Sequence, residues 1–199
     1  PVRQDLIEIQ HKENEAQAYF KLIPNKKKVL VIGGSLGAKR INELIEANLS
    51  YFEANNLQVI WQTGKLYFEK YKKYQSASVQ VHEFLDRMDL AYSAADYIIS
   101  RAGAGSVSEL CMVAKPVLFI PSPNVAEDHQ TKNAMSLVKE EAALMLKETD
   151  LEEKFQQEFL ALISSEALQQ KLGANILKLA KPNATKDIAD EIEKLIKKK

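Results

Sequence analysis

The sequence predicts an α/β protein: a doubly wound (Rossmann-like) parallel sheet of about six strands, followed by C-terminal helices. Three observations predict it. Short, continuously apolar runs alternate with helical stretches over most of the 199 residues, and runs of that kind belong to strands buried on both faces. Most of these runs end in a loop rich in glycine or proline. Right-handed crossovers then put helices on both faces, and ligands of such sheets sit beyond the carboxyl ends of the strands.

The first ten residues mix a proline with both signs of charge, as an entering linker does. A helix is predicted over His11–Leu22, with Ala16, Phe20 and Leu22 facing inward, and Pro24 and Asn25 end it. Lys28–Ile32 is the first strand. Gly33-Gly34-Ser35-Leu36-Gly37-Ala38 follows, then a helix through Ile41, Leu44, Ile45 and Leu49. Leu57–Gln62 is the second strand and Lys65–Tyr74 its helix. Val79–Glu83 and Met88–Ala95 form the third pair, and Tyr97–Ser100 with a helix over Ser106–Val113 the fourth. Val117–Ile120 is the fifth strand, followed by a proline-bearing loop and a helix over Asp128–Lys139; Ala143–Leu146 is the sixth. From Asp150 onward the pattern is helical, with breaks at Gly173 and at Pro182-Asn183. The chain thus divides into a linker and leading helix (1–27), a Rossmann-like domain (28–181) and a terminal helix (182–199) with an apolar stripe at Ile188, Ile192 and Leu195.

This length suits one well-buried domain or half of a two-domain protein. Lys+Arg and Asp+Glu are both 27, so the net charge of zero makes no electrostatic case for nucleic acid. Cys111 is the single cysteine and reads as a buried small residue, which excludes a disulfide framework or a cysteine-ligated metal within the chain. With no Asp-x-Asp pair and no His/Cys cluster, no metal site is expected. No stretch is long and apolar enough to span a bilayer, and the sequence predicts no secretory leader within these residues. The chain begins at Pro1 rather than at methionine, so a partner region upstream is expected.

The stretch with the most chemistry is Tyr97–Leu110: a strand, a turn of small residues, then a helix opening on Gly105 and Ser106. Such a turn leaves the first helical N–H groups without intrahelical partners, pointing beyond the strand end. With the Arg101 cation before it the corner suits a diphosphate, and Glu109, one turn further in, is within reach of a ribose. An ordinary strand–helix turn is the alternative. The earlier turn at Gly33–Gly37 fails two standard tests. A nicotinamide-dinucleotide site wants an acid at the end of the second strand, where Trp61-Gln62-Thr63 stands; a Walker loop wants Gly-Lys-Ser/Thr, where Gly37-Ala38-Lys39-Arg40 stands.

Four motifs occur in order: Gly-Gly-Ser-Leu-Gly-Ala from Gly33, Glu-Phe-Leu-Asp-Arg-Met from Glu83, Arg-Ala-Gly-Ala-Gly-Ser-Val-Ser-Glu from Arg101 and His-Gln-Thr-Lys-Asn-Ala from His129. Together they resemble the C-terminal half of the bacterial glycosyltransferases that add N-acetylglucosamine to undecaprenyl-pyrophosphoryl-N-acetylmuramyl pentapeptide in peptidoglycan synthesis. The resemblance covers nearly the whole chain. It implies one half of a two-domain GT-B enzyme, an inverting transfer needing no cofactor, and UDP-N-acetylglucosamine as the donor bound here. It also implies that the lipid-linked acceptor, the general base and a peripheral contact with the cytoplasmic face of the bacterial inner membrane belong to the N-terminal half. The fragment alone is then a soluble donor-binding piece without turnover.

Carried across by position, the resemblance implies that Arg3 approaches the diphosphate from the interdomain side and that Ser35 offers its hydroxyl to a phosphate oxygen. The Leu85 backbone pairs with the uracil edge, at a strand end where amide groups are free. Arg101, Gly103, Ala104, Gly105, Ser106, Val107 and Ser108 line the nucleotide, with Glu109 on the ribose. Gln130 and Asn133, three apart on one helix face, hold the sugar, beside His129. Leu36 departs from the family's frequent glutamine and Leu85 from its common isoleucine. Each residue also has a structural reading: Ser35 as a helix cap, Arg101 paired with a carboxylate such as Asp96, Glu109, Gln130 and Asn133 as a solvated polar face. His11 and His82 read as surface or edge residues. A GT-B transferase with another acceptor, a non-catalytic nucleotide module and a sugar-nucleotide epimerase are the rival readings.

Overall fold

The computed structural model describes residues 6 and 9–197. Six strands form one wholly parallel sheet: β1 (Lys27–Ile32), β2 (Leu57–Gln62), β3 (Val79–His82), β4 (Tyr97–Ser100), β5 (Val117–Phe119) and β6 (Leu144–Met145), in the spatial order β3-β2-β1-β4-β5-β6. That order reverses between β1 and β4, so crossovers from β1 toward β3 and from β4 toward β6 lie on opposite faces. The reversal opens a crevice between the carboxyl ends of β1 and β4. Register brings the strand ends level there, with Ile32 opposite Gln62 on one side and Ser100 on the other.

The helices are α1 (Glu13–Tyr19), α2 (Lys39–Ala47), α3 (Leu49–Ala54), α4 (Phe68–Tyr71), α5 (Met88–Ala94), α6 (Ala104–Val113), α7 (His129–Lys139), α8 (Leu151–Ser164), α9 (Glu166–Lys178) and α10 (Ala184–Lys197). Successive strand residues point to opposite faces, and each face has its own core. Leu30, Ile32, Ile60, Ile98 and Phe119 pack under α1, α5, α6 and α7. Val29, Val31, Val59, Trp61, Ile99 and Leu118 pack under α2, α3 and α8, with Phe52, Phe155 and Phe159 as the bulk of that layer. A large apolar side chain removed from water contributes about 1.5–3 kcal/mol. The strand ends that carry the crevice are therefore held by the core, not by the crevice itself.

Several boundaries differ from those the sequence predicts, each for a local reason. Gly173 does not break a helix, since α9 runs through it. A Cβ there would lie 2.8 Å from the Ala114 carbonyl oxygen, so the glycine lets α9 cross the end of α6 closely. The break falls at Ser165 instead, whose hydroxyl accepts from Leu168 N–H as the cap of α9. The predicted single helix through Leu49 is two, divided at Asn48, whose side-chain amide turns back to the Leu44 carbonyl at 2.8 Å. The predicted helix Lys65–Tyr74 shrinks to α4 and a 3-10 turn over Lys72–Tyr74. The helix after β4 opens at Ala104, two residues before the predicted Ser106.

Candidate functional site

The crevice is built on the loops that leave β1, β4 and β5. After β1, Gly34 and Gly37 take left-handed backbone angles (φ +89° and +85°), the region glycine enters without strain. The close approach is stricter still at Gly37, where a Cβ would sit 2.1 Å from the Thr63 carbonyl oxygen. The loops after β1 and β2 therefore touch backbone to backbone. Asn42 clamps them: its buried amide donates to Thr63 O at 2.9 Å and accepts from Trp61 Nε1 at 2.9 Å. α2 then begins at Lys39, with Ala38 before it supplying no side-chain cap. Ser35 lies exposed in the turn, so its capping role is not realised.

After β4 the chain reaches α6 through Gly103, again with no side-chain cap. The first intrahelical bond runs from Val107 N–H to Gly103 O, leaving the amides of Ala104, Gly105 and Ser106 for an outside acceptor. Ala104 and Gly105 are exposed, and a Cβ at Gly105 would meet nothing within 4 Å. The corner is open, and it carries the positive end of the helix dipole. Val107 packs on the core below it, and Ser108 turns its hydroxyl back to Ala104 O at 2.9 Å. One turn in, Glu109 Oε2 accepts the Tyr92 hydroxyl at 3.1 Å.

Between the loops after β1 and β5, with Arg101 at the end of β4, lies a cavity of about 370 Å³, lined by Gly33, Gly37, Arg40, Arg101, Ser122 and Gln130 among others; the first residues of α6 do not line it. A larger groove of about 540 Å³ runs between α2 and α8, but no strand-end residue lines it. Arg101 is not a free cation. Its guanidinium donates to Ile120 O at 2.9 Å and pairs with Glu148 at 2.5 Å, both side chains mostly buried. The carboxylate is therefore Glu148 rather than Asp96, which holds Lys27 and the Lys28 amide. Lys39 and Arg40, at the start of α2, also line the cavity and were passed over in the sequence once the Walker pattern failed.

On α7, Gln130 and Asn133 both reach the sheet ends. Gln130 Oε1 accepts from Ser122 N–H at 3.0 Å, and Asn133 Nδ2 donates to Ala102 O at 3.0 Å. Gln130 keeps its NH₂ and Asn133 its carbonyl without a partner among the described residues. The turn entering α7 holds Glu127 and Asp128 at φ +53° and +51°, unfavourable angles for these residues, and His129 donates to Ala126 O at 2.9 Å. Leu85 departs from expectation: its N–H is not free but donates to Gln62 Oε1 at 2.9 Å. Its carbonyl accepts no bond among the described residues. His82 is a half-buried residue of edge strand β3, and burial lowers its pKa. Arg3 lies outside the described residues. No group of three or more His, Cys, Asp or Glu side chains converges on a metal-sized space among the described residues.

Fold and site together define a doubly wound, Rossmann-like α/β domain with uncapped helix starts at its switch point. Residues 28–192 match the glycosyltransferase family 28 C-terminal domain. The chain belongs to that family. It is 60% identical over its full length to the UDP-N-acetylglucosamine--N-acetylmuramyl-(pentapeptide) pyrophosphoryl-undecaprenol N-acetylglucosamine transferase of Christiangramia forsetii, covering 54% of that protein. It is 57% identical over 98% of its length to the protein of the same name from Flavobacterium psychrophilum, again covering 54%. The crystal structure of Acinetobacter baumannii MurG superposes with a TM-score of 0.78 at 29% identity, over 95% of this chain and 55% of that one. The chain thus spans about half the length of the relatives it matches.

Proposed function

We propose that this chain is the donor-binding half of an inverting glycosyltransferase that moves N-acetylglucosamine from UDP-N-acetylglucosamine to undecaprenyl-pyrophosphoryl-N-acetylmuramyl pentapeptide. The observation that carries the reading is the open, uncapped start of α6 at the switch point, with a carboxylate one turn deeper. The diphosphate takes the amides of Ala104, Gly105 and Ser106, the ribose hydroxyls take Glu109, and the sugar takes the spare amide groups of Gln130 and Asn133. Ser35 and the start of α2 close the phosphate seat from the β1 side.

In the transfer an acceptor hydroxyl attacks the anomeric carbon while UDP departs, so negative charge grows on the diphosphate as the bond breaks. Fixed backbone dipoles meet that charge more strongly in the transition state than in the ground state, without reorganising. Losing one such donor typically costs about 10²–10³ in rate. The general base, the acceptor site and a peripheral contact with the cytoplasmic membrane face are assigned to the upstream half. No described helix is long and apolar enough to cross a membrane. The terminal helix α10 returns to that half: Ile188, Ile192 and Leu195 form an apolar stripe, each at least half exposed. Calorimetric titration with UDP-N-acetylglucosamine, ATP and NAD tests the reading. Strong preference for the sugar nucleotide supports it; equal or absent binding overturns it.

A further inference from the structure

Glu148 opens the 3-10 turn after β6 and lies outside all four sequence motifs. Its side chain is 14% exposed and meets the Arg101 guanidinium, itself 13% exposed, at 2.5 Å. A pair so far removed from water is a poor device for stability alone, because desolvation offsets much of the attraction. The second bond of the guanidinium shows what the pair holds. Arg101 Nη1 donates to the Ile120 carbonyl at 2.9 Å, just past β5. Two residues on, the Ser122 N–H donates to Gln130 Oε1 at 3.0 Å. A backbone N–H can only donate, so it fixes the oxygen end of that amide and leaves the NH₂ as the free end. Glu148, Arg101, Ser122 and Gln130 all line the same cavity of about 370 Å³.

We propose that Glu148 is a positioning residue for sugar recognition: through Arg101 it pins the chain just past β5, and with it the orientation of the Gln130 amide. This rests on the nucleotide-sugar reading above, in which the Gln130 NH₂ meets the sugar. An unpinned glutamine amide turns about its last torsion at little cost and presents either its oxygen or its NH₂. Pinned at Oε1, it presents donors only, and a sugar oxygen is met without reordering the side chain. The start of α6, where the diphosphate is proposed to sit, does not line this cavity. A disturbance at Glu148 therefore reaches the sugar and spares the UDP portion.

The test is calorimetric titration of the chain with UDP-N-acetylglucosamine and with UDP, comparing wild type with Glu148→Ala, Gln130→Ala and the double variant, with thermal melts alongside. Gln130→Ala is expected to lower the ratio of sugar-nucleotide to UDP affinity about tenfold, one hydrogen bond's worth. Glu148→Ala is expected to lower the same ratio about three- to tenfold, and the melting temperature too, since Arg101 is left without its partner. The double variant is expected to fall no further than Gln130→Ala, because both changes remove one interaction. Glu148→Gln keeps the length and an acceptor for Arg101, and is expected to restore most of the ratio while the melting temperature stays low. A merely structural Glu148 would lower the melting temperature and leave the ratio unchanged, which overturns the proposal and leaves the nucleotide reading intact. Additive losses in the double variant overturn it as well. Wild-type chain that binds neither ligand overturns both. If Glu148→Ala does not fold, Glu148→Asp takes its place, keeping the charge on a side chain one methylene shorter: a lowered ratio supports the proposal and an unchanged one overturns it.

Discussion

Tyr92 donates its hydroxyl to Glu109 Oε2 at 3.1 Å, joining α5 to α6 directly behind the open helix end. Tyr92 is 1% exposed, so its ring is fixed by the core and the carboxylate is aimed rather than merely present. Tyr92→Phe removes the hydroxyl and keeps the ring. Urea melts are expected to show a loss of about 0.5–1.5 kcal/mol. UDP affinity, read by calorimetry, is expected to fall about three- to tenfold, less than for Glu109→Ala.

Glycine substitutions should separate two kinds of glycine. At Gly173 an added methyl meets the Ala114 carbonyl at 2.8 Å, and Ala114 is itself held in the left-handed region (φ +57°) at the end of α6. Gly173→Ala gains about 1 kcal/mol of helix propensity but forces apart two packed backbones, a cost of about 1–3 kcal/mol. The net expected change is destabilisation. Gly105→Ala meets open space at a helical position and is expected to stabilise slightly. Thermal melts of the two variants should move in opposite directions.

His82 should give the chain an acid-sensitive term. Burial lowers its pKa in the folded state below the ordinary 6.5, and its Nε2 is buried without a hydrogen-bond partner. As pH falls, the unfolded chain takes up the proton first, so the histidine's contribution is complete above about pH 6.5 and is lost as pH falls through the folded-state value. Between pH 7.5 and 5.5 the wild type is expected to lose stability in urea melts. His82→Gln is expected to lose less over the same interval.

The sheet was legible because buried parallel strands are continuous apolar runs, and Val29–Ile32 or Tyr97–Ile99 admit little else. The glycine turns were legible for the same reason: they interrupt such runs at the strand ends. What escaped was tertiary. Gly173 looks like a breaker until α6 is laid against α9, and nothing local marks the break at Ser165. Arg101 finds its carboxylate 47 residues away in Glu148, beyond the reach of pattern. Gln62 was read only as the absence of an acid, although its amide is what ties Gly34 to Leu85. Nothing local to Tyr92 marks it as the partner of Glu109, 17 residues further on.

In the proposed function, main-chain amides at the start of α6 hold the diphosphate. Ala104→Pro isolates that contact, because proline suits the first helical position, lacks only the N–H at issue, and is preceded by Gly103 at φ −64°, ψ +148°, a conformation proline permits. Calorimetric titration of this variant with UDP and with uridine is the direct measurement. The melting temperature and uridine affinity are expected to stay near wild type, while UDP affinity falls about 10- to 100-fold, as for one hydrogen bond to a charged group. Undiminished UDP binding by the folded variant would contradict the account.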